Sequence, residues 1–495
     1  MITQLHTPQE AASWLRMRVT GTLCTDSRSI KPGDGFIAWP GAAHDARVYA
    51  NDVLKAGAHA CLVEKNGIEA FDLKDEKIAA YSGMKAAAAS IAAAYYEEPS
   101  KQLQTVAITG TNGKTSTAWW FAQAMAKLQR KCAVVGTLGI GAPDALVFNG
   151  MTTPDPVLLQ QQLRRFVQED FSACAIEASS IGIAERRLDA THLQVAVFTN
   201  FTQDHLDYHG SMQSYWAAKE SLFAWPGLVS AVINIDDANG LVLSQKLAIK
   251  HLDIWTVAIE QPARLQAQAI EQSASTMTFT VIEGTDRQVV VTRTLGLYNV
   301  SNLLGVMGAM RALGISLEDA AQACCHLPAV PGRLNTLAEP GLPLVAIDYA
   351  HTPDAIEKVL LALRPVAQAR GGQLWCVFGC GGDRDATKRP LMAAMAQKNA
   401  DQIVVTSDNP RSENPTSIIS QILLGLTQRE SVQVQADRAL AILEAIASAD
   451  AKDVVLLAGK GHENYQEIAG IKHPFDDQIH AQAALTARLK MGAAA

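Results

Sequence analysis

One short segment of the chain has the residue types of a phosphate-binding loop. Residues 109–115 read Thr-Gly-Thr-Asn-Gly-Lys-Thr, and they stand between an apolar, β-rich run at residues 104–110 and a helical pattern that begins at Lys114. Glycines let backbone N–H groups approach phosphate oxygens, and the N-terminus of the following helix adds positive potential. In such a loop Lys114 reaches the outer phosphates, while Thr115 offers a hydroxyl to Mg2+. The segment therefore predicts a nucleoside triphosphate site.

The loop departs from the strict phosphate-loop pattern at one position. The pattern G-x-x-x-x-G-K-[ST] would place its first glycine where this chain has Ile108. A glycine turn followed by a chance Gly-Lys-Thr is the alternative, but the position between a strand and a helix favours phosphate binding. The chain has no Asn-Lys-x-Asp segment of the kind that reads guanine. ATP is therefore favoured over GTP.

Polar side chains also follow two later β-rich runs. Glu177 closes the run ACAIE, and Asp204 and His205 follow VFTNFTQ. Open α/β sheets bind their ligands at the carboxyl ends of the strands, where these residues stand. Mg2+ prefers oxygen ligands, so Glu177 is a natural candidate to bind it and His205 a less usual one. Together with the loop, these residues predict a nucleotide and magnesium centre.

The elements around these residues alternate along the chain. Between residues 104 and 236, β-rich runs such as CAVVGTLG, ACAIEASS, QVAVFTN and SAVINID are separated by helical segments. This alternation is typical of a parallel, doubly wound α/β sheet. Period-two stretches within residues 267–292, STMTFTVI and RQVVVTR, indicate antiparallel strands added to it.

Two further α/β regions flank this one. Before Lys101, FIAWPG and HACLVE read as strands and residues 84–96 as a helix. After Pro-Gly pairs at 331–332 and 340–341, a new series begins with PLVAIDYA and continues with LWCVFG, QIVVTS and VVLLAG, since such pairs mark turns and loops. We therefore expect three domains, which span residues 1–99, 100–333 and 334–495.

Length and composition agree with this organisation. A chain of 495 residues is long enough for about three domains, and 48% hydrophobic against 18% charged residues excludes a disordered chain. The net charge of -7 argues against a general nucleic-acid binder, so an anionic ligand must be held by local groups. No secretory signal and no apolar run of about 20 residues is seen. We expect a soluble protein with no membrane span.

Nine motifs together resemble the Mur ligase family: TGTNGKT, EASS, FTNFTQDHLDYHG, YNVSN, PGR, DYAHTPD, FGCGGDRD, DNPR and GKGHE. The resemblance covers nearly the whole chain. It implies an α/β fold of three domains. These are a smaller N-terminal domain that binds a nucleotide sugar, a central ATPase domain built on a parallel sheet with a P-loop, and a C-terminal Rossmann-like domain.

The resemblance also implies an activity. Members of the family are ATP-dependent amide ligases in which a substrate carboxylate takes the γ-phosphoryl group and an amine then attacks the acyl phosphate. The likeness is greatest to the form that adds meso-diaminopimelate to the D-glutamate of UDP-N-acetylmuramoyl-L-alanyl-D-glutamate, a cytoplasmic step of peptidoglycan synthesis. A monomer is expected. The lysine-adding form and a ligase similar to folylpolyglutamate synthase are alternatives, and a nucleotide-sugar sensor with ATPase activity is a third from another class.

Position by position, the resemblance implies the residues of the ATP and metal sites. The catalytic residues implied are Lys114, Lys219 and His205. The ATP site implied consists of Gly110, Thr111, Asn112, Gly113, Lys114, Thr115, Ser116, Asn299, Asn302, Arg333 and Asp348. The Mg2+ ligands implied are Thr115, Glu177, His205 and Lys219, the last as a carbamate.

The same comparison of motifs implies the sites for the other two substrates. The UDP-muramoyl dipeptide site implied consists of Thr25, Ser27, Ala42, Ala43, His44, Thr152, Thr153, Ser179, Glu185 and Arg187. The diaminopimelate site implied consists of Arg384, Asp408, Asn409, Pro410, Arg411, Gly459 and Glu463. The chain departs from commoner family patterns at Met151, Ile181 and Glu185.

Residue chemistry agrees with two of these assignments. A plain lysine ammonium has no acceptor for a metal, whereas a carbamate on Lys219 presents two anionic oxygens. Arginine makes bidentate bonds to carboxylates, and Glu463 or Asp408 can hold an ammonium. The residues of the C-terminal loops therefore predict a ligand that has an amine and more than one carboxylate.

Overall fold

The chain folds into two compact units. The computed structural model describes residues 2–41, 44–249, 251–273, 276–428 and 432–493. The first unit comprises residues 1–109, 125–197 and 218–231, and the second comprises 110–124, 198–217 and 232–495. The predicted domain 1–99 falls in the first unit, 334–495 in the second, and 100–333 is divided between them. The three domain boundaries stay a prediction.

A five-stranded parallel sheet forms the N-terminal part of the first unit. Its elements are β1 (Thr3–Leu5), α1 (Pro8–Arg16), β2 (Leu23–Cys24), β3 (Gly35–Ala38), α2 (Ala50–Lys55), β4 (Ala60–Glu64), β5 (Ile78–Tyr81) and α3 (Met84–Tyr95). The strand order is β1-β5-β4-β3-β2, with parallel neighbours throughout. The strands expected in FIAWPG and HACLVE and the helix expected at 84–96 are confirmed as β3, β4 and α3.

The middle of the chain alternates strands and helices as expected. Its first elements are β6 (Gln104–Thr109), α4 (Lys114–Lys127), β7 (Cys132–Gly136), β8 (Gly139–Gly141), α5 (Pro156–Gln168), β9 (Ala173–Glu177), α6 (Ser180–Ala184), β10 (Val195–Phe198), α7 (Leu206–His209) and α8 (Met212–Glu220). They continue with β11 (Ser230–Asn234), α9 (Ala238–Leu247), β12 (Asp253–Ala258), β13 (Leu265–Gln272), β14 (Met277–Glu283), β15 (Asp286–Thr292), α10 (Leu297–Ala312) and α11 (Leu317–Cys324).

The strand pairing shows where parallel and antiparallel segments lie. In the first unit β9 pairs in parallel with both β6 and β7. In the second unit β13, β14 and β15 are antiparallel neighbours, as the period-two pattern predicted. The strand expected in CAVVGTLG is confirmed as β7, but the antiparallel hairpin that β7 forms with β8 was not predicted. Gly139 and Gly141 in β8 have φ of 135° and 144°, which only glycine adopts readily.

A six-stranded sheet forms the C-terminal part of the second unit. Its elements are β16 (Asn335–Leu337), β17 (Leu344–Asp348), α12 (Pro353–Arg370), β18 (Leu374–Phe378), α13 (Lys388–Asn399), β19 (Gln402–Val405), α14 (Pro415–Leu423), β20 (Val432–Val434), α15 (Arg438–Ser448), β21 (Val454–Ala458), β22 (Tyr465–Ile468), β23 (Ile471–Pro474) and α16 (Asp477–Ala493). The order is β16-β17-β21-β18-β19-β20, and only β16 runs antiparallel to its neighbour. β22 and β23 form a separate hairpin.

Helices cover both faces of this sheet. Alternate strand residues such as Cys376 and Phe378 belong to one buried cluster with α12, α13 and α14, and Trp375 and Val377 belong to another with α15 and α16. Successive side chains of a strand point to opposite faces, so both faces are packed and the polar loops remain at the strand ends. Within the described part of the chain, no helix is both long enough and apolar enough to cross a bilayer.

Candidate active site

The phosphate loop has the backbone that its glycines were expected to provide. Gly110 and Gly113 have φ of 151° and 86°, and α4 begins directly afterwards at Lys114. A Cβ on Gly110 would lie 1.8 Å from Thr199 Oγ1, and one on Gly113 would lie 2.3 Å from Asn302 Oδ1. Both positions therefore require glycine for space as well as for conformation.

Side chains of the second unit hold this loop in place. The Asn112 N–H donates to Asn200 Oδ1 at 2.9 Å, and Asn112 Nδ2 donates to Asp354 Oδ2 at 2.9 Å. Lys114 Nζ donates to the carbonyl oxygens of Gly110 and Thr111 at 2.9 and 2.8 Å. The lysine cation is thus held over the loop, where the outer phosphates of ATP are expected.

The other predicted ATP residues of the second unit lie close to the loop or to one another. Arg333 Nη2 donates to Thr115 Oγ1 at 3.2 Å. Asn302 Nδ2 donates to Asn299 Oδ1 at 3.3 Å, and both asparagines are buried. Ser116 is buried in the first turn of α4. The structure therefore places Arg333 and Asn302 beside the loop, and their role in ATP binding stays a prediction.

Asp348 holds the backbone beside Arg333. Its carboxylate accepts from the N–H groups of Leu334 and Ala350, each at 2.7 Å. Burial raises the pKa of the Asp348 carboxyl, and the charge of Arg333 and the two backbone bonds oppose this rise. The Arg333 guanidinium also lies 4.5 Å from the centre of the Tyr349 ring. Asp348 thus orders the segment that carries Arg333.

A buried charge cluster around Asp204 was missed by the sequence analysis. Asp204 is 5% exposed, with Lys388 Nζ at 3.4 Å, His205 Nε2 at 3.5 Å and His351 Nε2 at 3.8 Å from its carboxylate. Burial alone would raise the pKa of Asp204, but the His351 hydrogen bond and the charges of Lys388 and the histidines hold it well below the ordinary value. The signal was present in the KRP and DYAHTPD segments, but no spacing links them to residue 204.

Three of the residues predicted for the sugar-peptide are joined to Glu177 in the first unit. Glu177 is 1% exposed and accepts from the Thr137 N–H at 2.8 Å and its hydroxyl at 3.2 Å. Thr153 Oγ1 donates to Glu177 O at 2.7 Å and lies 2.9 Å from Ser179 Oγ. Arg187 Nη1 donates to Thr153 O at 2.9 Å. These residues form one continuous polar network.

The other residues predicted to bind the UDP-muramoyl dipeptide are spread more widely. Thr25 hydrogen-bonds the Asp155 carboxylate, while Ser27 begins a short 3-10 helix. Glu185 forms an ion pair with Lys85 at 2.7 Å. His44 is exposed. Ala42 and Ala43 lie outside the described residues, and Thr152 Oγ1 lies 3.0 Å from Thr137 Oγ1.

Two of the three departures from family patterns can be placed in this network. Met151 Sδ lies 3.5 Å from Arg187 Nη1, so the thioether contacts the same arginine that holds Thr153. Glu185 neutralises a lysine, as described above. For Ile181 the contacts in the structure give no explanation.

The predicted Mg2+ ligands belong to both units. Glu177 and Lys219 lie in the first, and Thr115 and His205 in the second. Lys219 is only 1% exposed in α8, which is unusual for a helix lysine. His205 has a left-handed backbone, with φ of 54°. Carboxylate, hydroxyl and carbamate oxygens are ligands that suit Mg2+, so the donor set is chemically appropriate.

The three loops predicted to bind the amino acid lie together at the carboxyl edge of the C-terminal sheet. Asn409 Nδ2 donates to Glu463 Oε2 at 2.8 Å, which joins the loops after β19 and β21. A Cβ on Gly459 would lie 2.4 Å from Asp408 Oδ2. Arg411 Nη1 donates to Gly382 O at 2.8 Å, in the loop that also carries the exposed Arg384.

Lys460 was not predicted for this site, although its neighbours in GKGHE were. Its side chain is fully buried, and Nζ lies 3.1 Å from Glu463 Oε2 and 3.2 Å from Asn409 Oδ1. Glu463 Oε1 accepts from the Tyr349 hydroxyl at 3.4 Å. A buried cation therefore fixes the carboxylate that is expected to meet the amine.

Comparison with known proteins agrees with this geometry. Residues 108–310 match the Mur ligase middle domain, and residues 332–461 match the Mur ligase glutamate ligase domain. The UDP-N-acetylmuramoyl-L-alanyl-D-glutamate--2,6-diaminopimelate ligase of Acidovorax sp. strain JS42 is 58% identical over 491 residues, which cover 98% of each chain.

Solved structures are similar over the same length. A structure of a UDP-N-acetylmuramoyl-L-alanyl-D-glutamate--2,6-diaminopimelate ligase is 33% identical, with a TM-score of 0.65 over 94% of this chain and 95% of that one. MurF ligase from Thermotoga maritima in complex with ADP is 17% identical and shares the fold, with a TM-score of 0.68 over 97% and 99% of the two chains. The predicted three-domain α/β ligase fold is thereby confirmed as a fold class, and the chain belongs to the Mur ligase family.

Proposed function

We propose that the chain is an ATP-dependent ligase that adds meso-diaminopimelate to UDP-N-acetylmuramoyl-L-alanyl-D-glutamate in peptidoglycan precursor synthesis. Relatives at 58% and 33% identity bear the name of this enzyme. The observation that carries the proposal is the contact of the phosphate loop with Arg333 and with α12, which packs on the sheet whose loops are predicted to bind the amino acid. Thr115 meets Arg333, and Asn112 meets Asp354 at the start of α12. Nucleotide and amine can thus be held by one compact unit.

The reaction follows from these positions. The D-glutamate carboxylate attacks the γ-phosphorus of ATP, ADP leaves, and an acyl phosphate forms. The amine of the amino acid then attacks the acyl carbon, the new amide bond replaces the acyl–oxygen bond, and phosphate leaves with the proton passing to solvent. Phosphoryl transfer needs positioning and charge neutralisation more than a protein nucleophile. Lys114 and Arg333 supply the cations.

Mg2+ is expected at the nucleotide. Thr115, Glu177, His205 and a carbamate on Lys219 would hold it. A bound ion would supply positive charge against the phosphates. Removing divalent ions with a chelator should therefore abolish turnover, and adding Mg2+ should restore it.

The carbamate on Lys219 has its own support and its own test. A buried lysine in an α/β ligase is unusual, and carbon dioxide would convert its amine into a group with two anionic oxygens. We expect Lys219→Ala to be inactive and partly rescued by short-chain carboxylic acids. Crystals grown with bicarbonate near neutral pH should show density beyond the amine, and a bare ammonium would contradict the proposal.

The amino-acid loops favour diaminopimelate over lysine. Arg384 and Arg411 lie in adjacent loops, and diaminopimelate differs from lysine by a second carboxylate. Lysine has no second carboxylate for these cations to bind, and folate ligases lack the N-terminal nucleotide-sugar domain that the family resemblance implies here. A panel of amino acids tested with the UDP-dipeptide and ATP would distinguish the three activities.

Phosphate release is the decisive measurement. A ligase releases phosphate in proportion to the amine supplied and forms a product heavier by one amino-acid residue. A sensor with ATPase activity would release phosphate at the same rate with or without amine, and that result would overturn the proposal. Size-exclusion chromatography with light scattering would test the expected monomer, and cell fractionation would test the expected cytoplasmic location.

A further inference from the structure

We propose that Arg389 and Glu413 form a clasp that positions Arg384 and Arg411 for the second carboxylate of diaminopimelate. The inference rests on the proposed function and assigns a role to two residues beyond the predicted binding set. Both are positioning residues, because they act through the loops that carry the arginines.

Arg389 contacts both loops from inside the protein. It is 1% exposed in α13, and its Nη1 and Nη2 donate to the two carboxylate oxygens of Glu413 at 2.8 and 2.7 Å. Nη2 also donates to Gly381 O at 3.1 Å, and Nη1 donates to Gln421 Oε1 at 2.7 Å. Bidentate arginine pairs fix geometry more strictly than single bonds do. One side chain therefore sets the spacing between the loops after β18 and β19.

Glu413 also bonds the backbone of the loop that carries Arg384. Its Oε1 accepts from the Asp383 N–H at 2.6 Å. The Asp383 carboxylate in turn accepts from the Ser412 hydroxyl at 2.6 Å and the Ser412 N–H at 3.1 Å. Asp383 directly precedes Arg384, and Ser412 directly follows Arg411. Arg384 thus directly follows a residue that is bonded to the clasp, and Arg411 lies two residues before Glu413.

Backbone conformation shows why a clasp is needed. Asp383 and Arg411 have φ of 53° and 52°, a left-handed conformation that costs a non-glycine residue free energy. Such residues persist where surrounding contacts over-determine them. The contacts are those described above, together with Gly382 N–H donating to Asn409 O at 2.9 Å. Without the clasp, both loops would relax and separate the arginines.

Electrostatics agree with a clasp that stays charged at neutral pH. The hydrogen bonds from Arg389 lower the pKa of the Glu413 carboxyl, with a smaller opposing effect of burial. The ion pair is therefore present under the conditions of catalysis.

The test compares amino-acid specificity in Glu413→Gln and wild type. The substitution keeps the size of the side chain but places an amide N–H2 against the guanidinium. We expect KM for diaminopimelate to rise about tenfold, and its kcat/KM relative to lysine to fall by the same factor, with KM for ATP and for the UDP-dipeptide within about twofold. Arg389→Lys keeps the positive charge but cannot make the two parallel bonds of a guanidinium to Glu413. It should also lower kcat/KM for diaminopimelate relative to lysine.

Further variants distinguish a loss of positioning from a loss of folding. Ser412→Ala removes one bond of an exposed side chain and should lower the ratio by about threefold, even if Arg389→Lys does not fold. Asp401→Asn is the matched control, because Asp401 also pairs with an arginine, Arg364, at 2.6 Å, but stands directly before the start of β19, at the opposite end from the loops. It should leave the ratio unchanged.

The outcomes separate this inference from the proposed function. An unchanged ratio in folded Glu413→Gln and Ser412→Ala would overturn the clasp, as would an equal fall in Asp401→Asn. Wild-type protein without any turnover of diaminopimelate would overturn the proposed function and the clasp with it.

Discussion

At the residue scale, Lys114 has the clearest single role. Its ammonium bridges two carbonyls of the phosphate loop, and the residues predicted for the UDP-dipeptide that the structure describes lie in the first unit. We expect Lys114→Ala to abolish turnover while the UDP-dipeptide binds with nearly wild-type affinity. Calorimetric titration measures this binding, and a near-total loss in the variant would contradict the assignment of separate sites.

His462 predicts a pH dependence of stability. Burial, together with the nearby charges of Arg333 and Lys460, lowers the pKa of its imidazole to about 3. The unfolded chain binds a proton near pH 6.5, whereas the folded chain does so only near pH 3. Stability is therefore complete above about pH 6.5 and falls by about 1.4 kcal/mol per pH unit below it.

The measurement compares wild type with His462→Phe, whose ring cannot titrate. The variant replaces an imidazole that lies 5.2 Å from the Tyr349 ring. The difference in unfolding free energy between the two proteins should shift in favour of the variant as pH falls from 6.5 to 4.5. Parallel pH profiles would show that His462 is protonated in the folded protein.

The sequence predicted some of these residues and could not predict others. Residues 110–115 stand in one motif, so their chemistry can be predicted from a short stretch of sequence. Asp354 and Lys388 contact the phosphate loop and Asp204 across separations of 242 and 184 residues. Such contacts depend on how distant elements pack, and one sequence carries no local signal for them.

At the scale of elements, we expect the loops after β18 and β19 to select the amino acid. Arg411 is held against Gly382 O and lies 3.6 Å from Glu467 Oε2. A charge-assisted bond to the second carboxylate is worth about 1.5 to 3 kcal/mol, or about ten- to a hundredfold. We expect Arg411→Ala to lower kcat/KM for diaminopimelate by at least tenfold and to change that for lysine less. An unchanged ratio would show that Arg411 has only a structural role.

Helices and strands were predicted well where the hydrophobic pattern repeats along the sequence, and less well where a short turn joins two strands. Strands of buried β-branched residues, such as β19 and β21, were legible from composition alone. The β7–β8 hairpin was not, because its reversal depends on glycines inside a run that is apolar throughout. Periodicity cannot show a change of strand direction within such a run.

At the scale of the whole molecule, the second unit joins a nucleotide loop to an amino-acid site by polar contacts between distant segments. Three such links are Arg333 to Thr115, Asn112 to Asp354, and Gln203 Nε2 to Thr387 Oγ1 at 3.0 Å. The sequence predicted separate domains but not these links. We therefore expect joint binding of ATP and amine to depend on contacts between segments that lie far apart in the sequence.

The buried pair of Asp204 and Lys388 allows these links to be tested in the intact protein. Lys388→Met would leave a carboxylate that is 5% exposed without its ammonium, at a cost of about 3 kcal/mol of stability. Asp204→Asn with Lys388→Met removes the uncompensated charge. We expect the double variant to unfold at a higher temperature than Lys388→Met alone, since residues in one buried network couple by about 0.5 to 3 kcal/mol. Turnover should stay low in both, because the link between the segments is gone. Strictly additive shifts of the melting temperature would show that the two side chains do not interact.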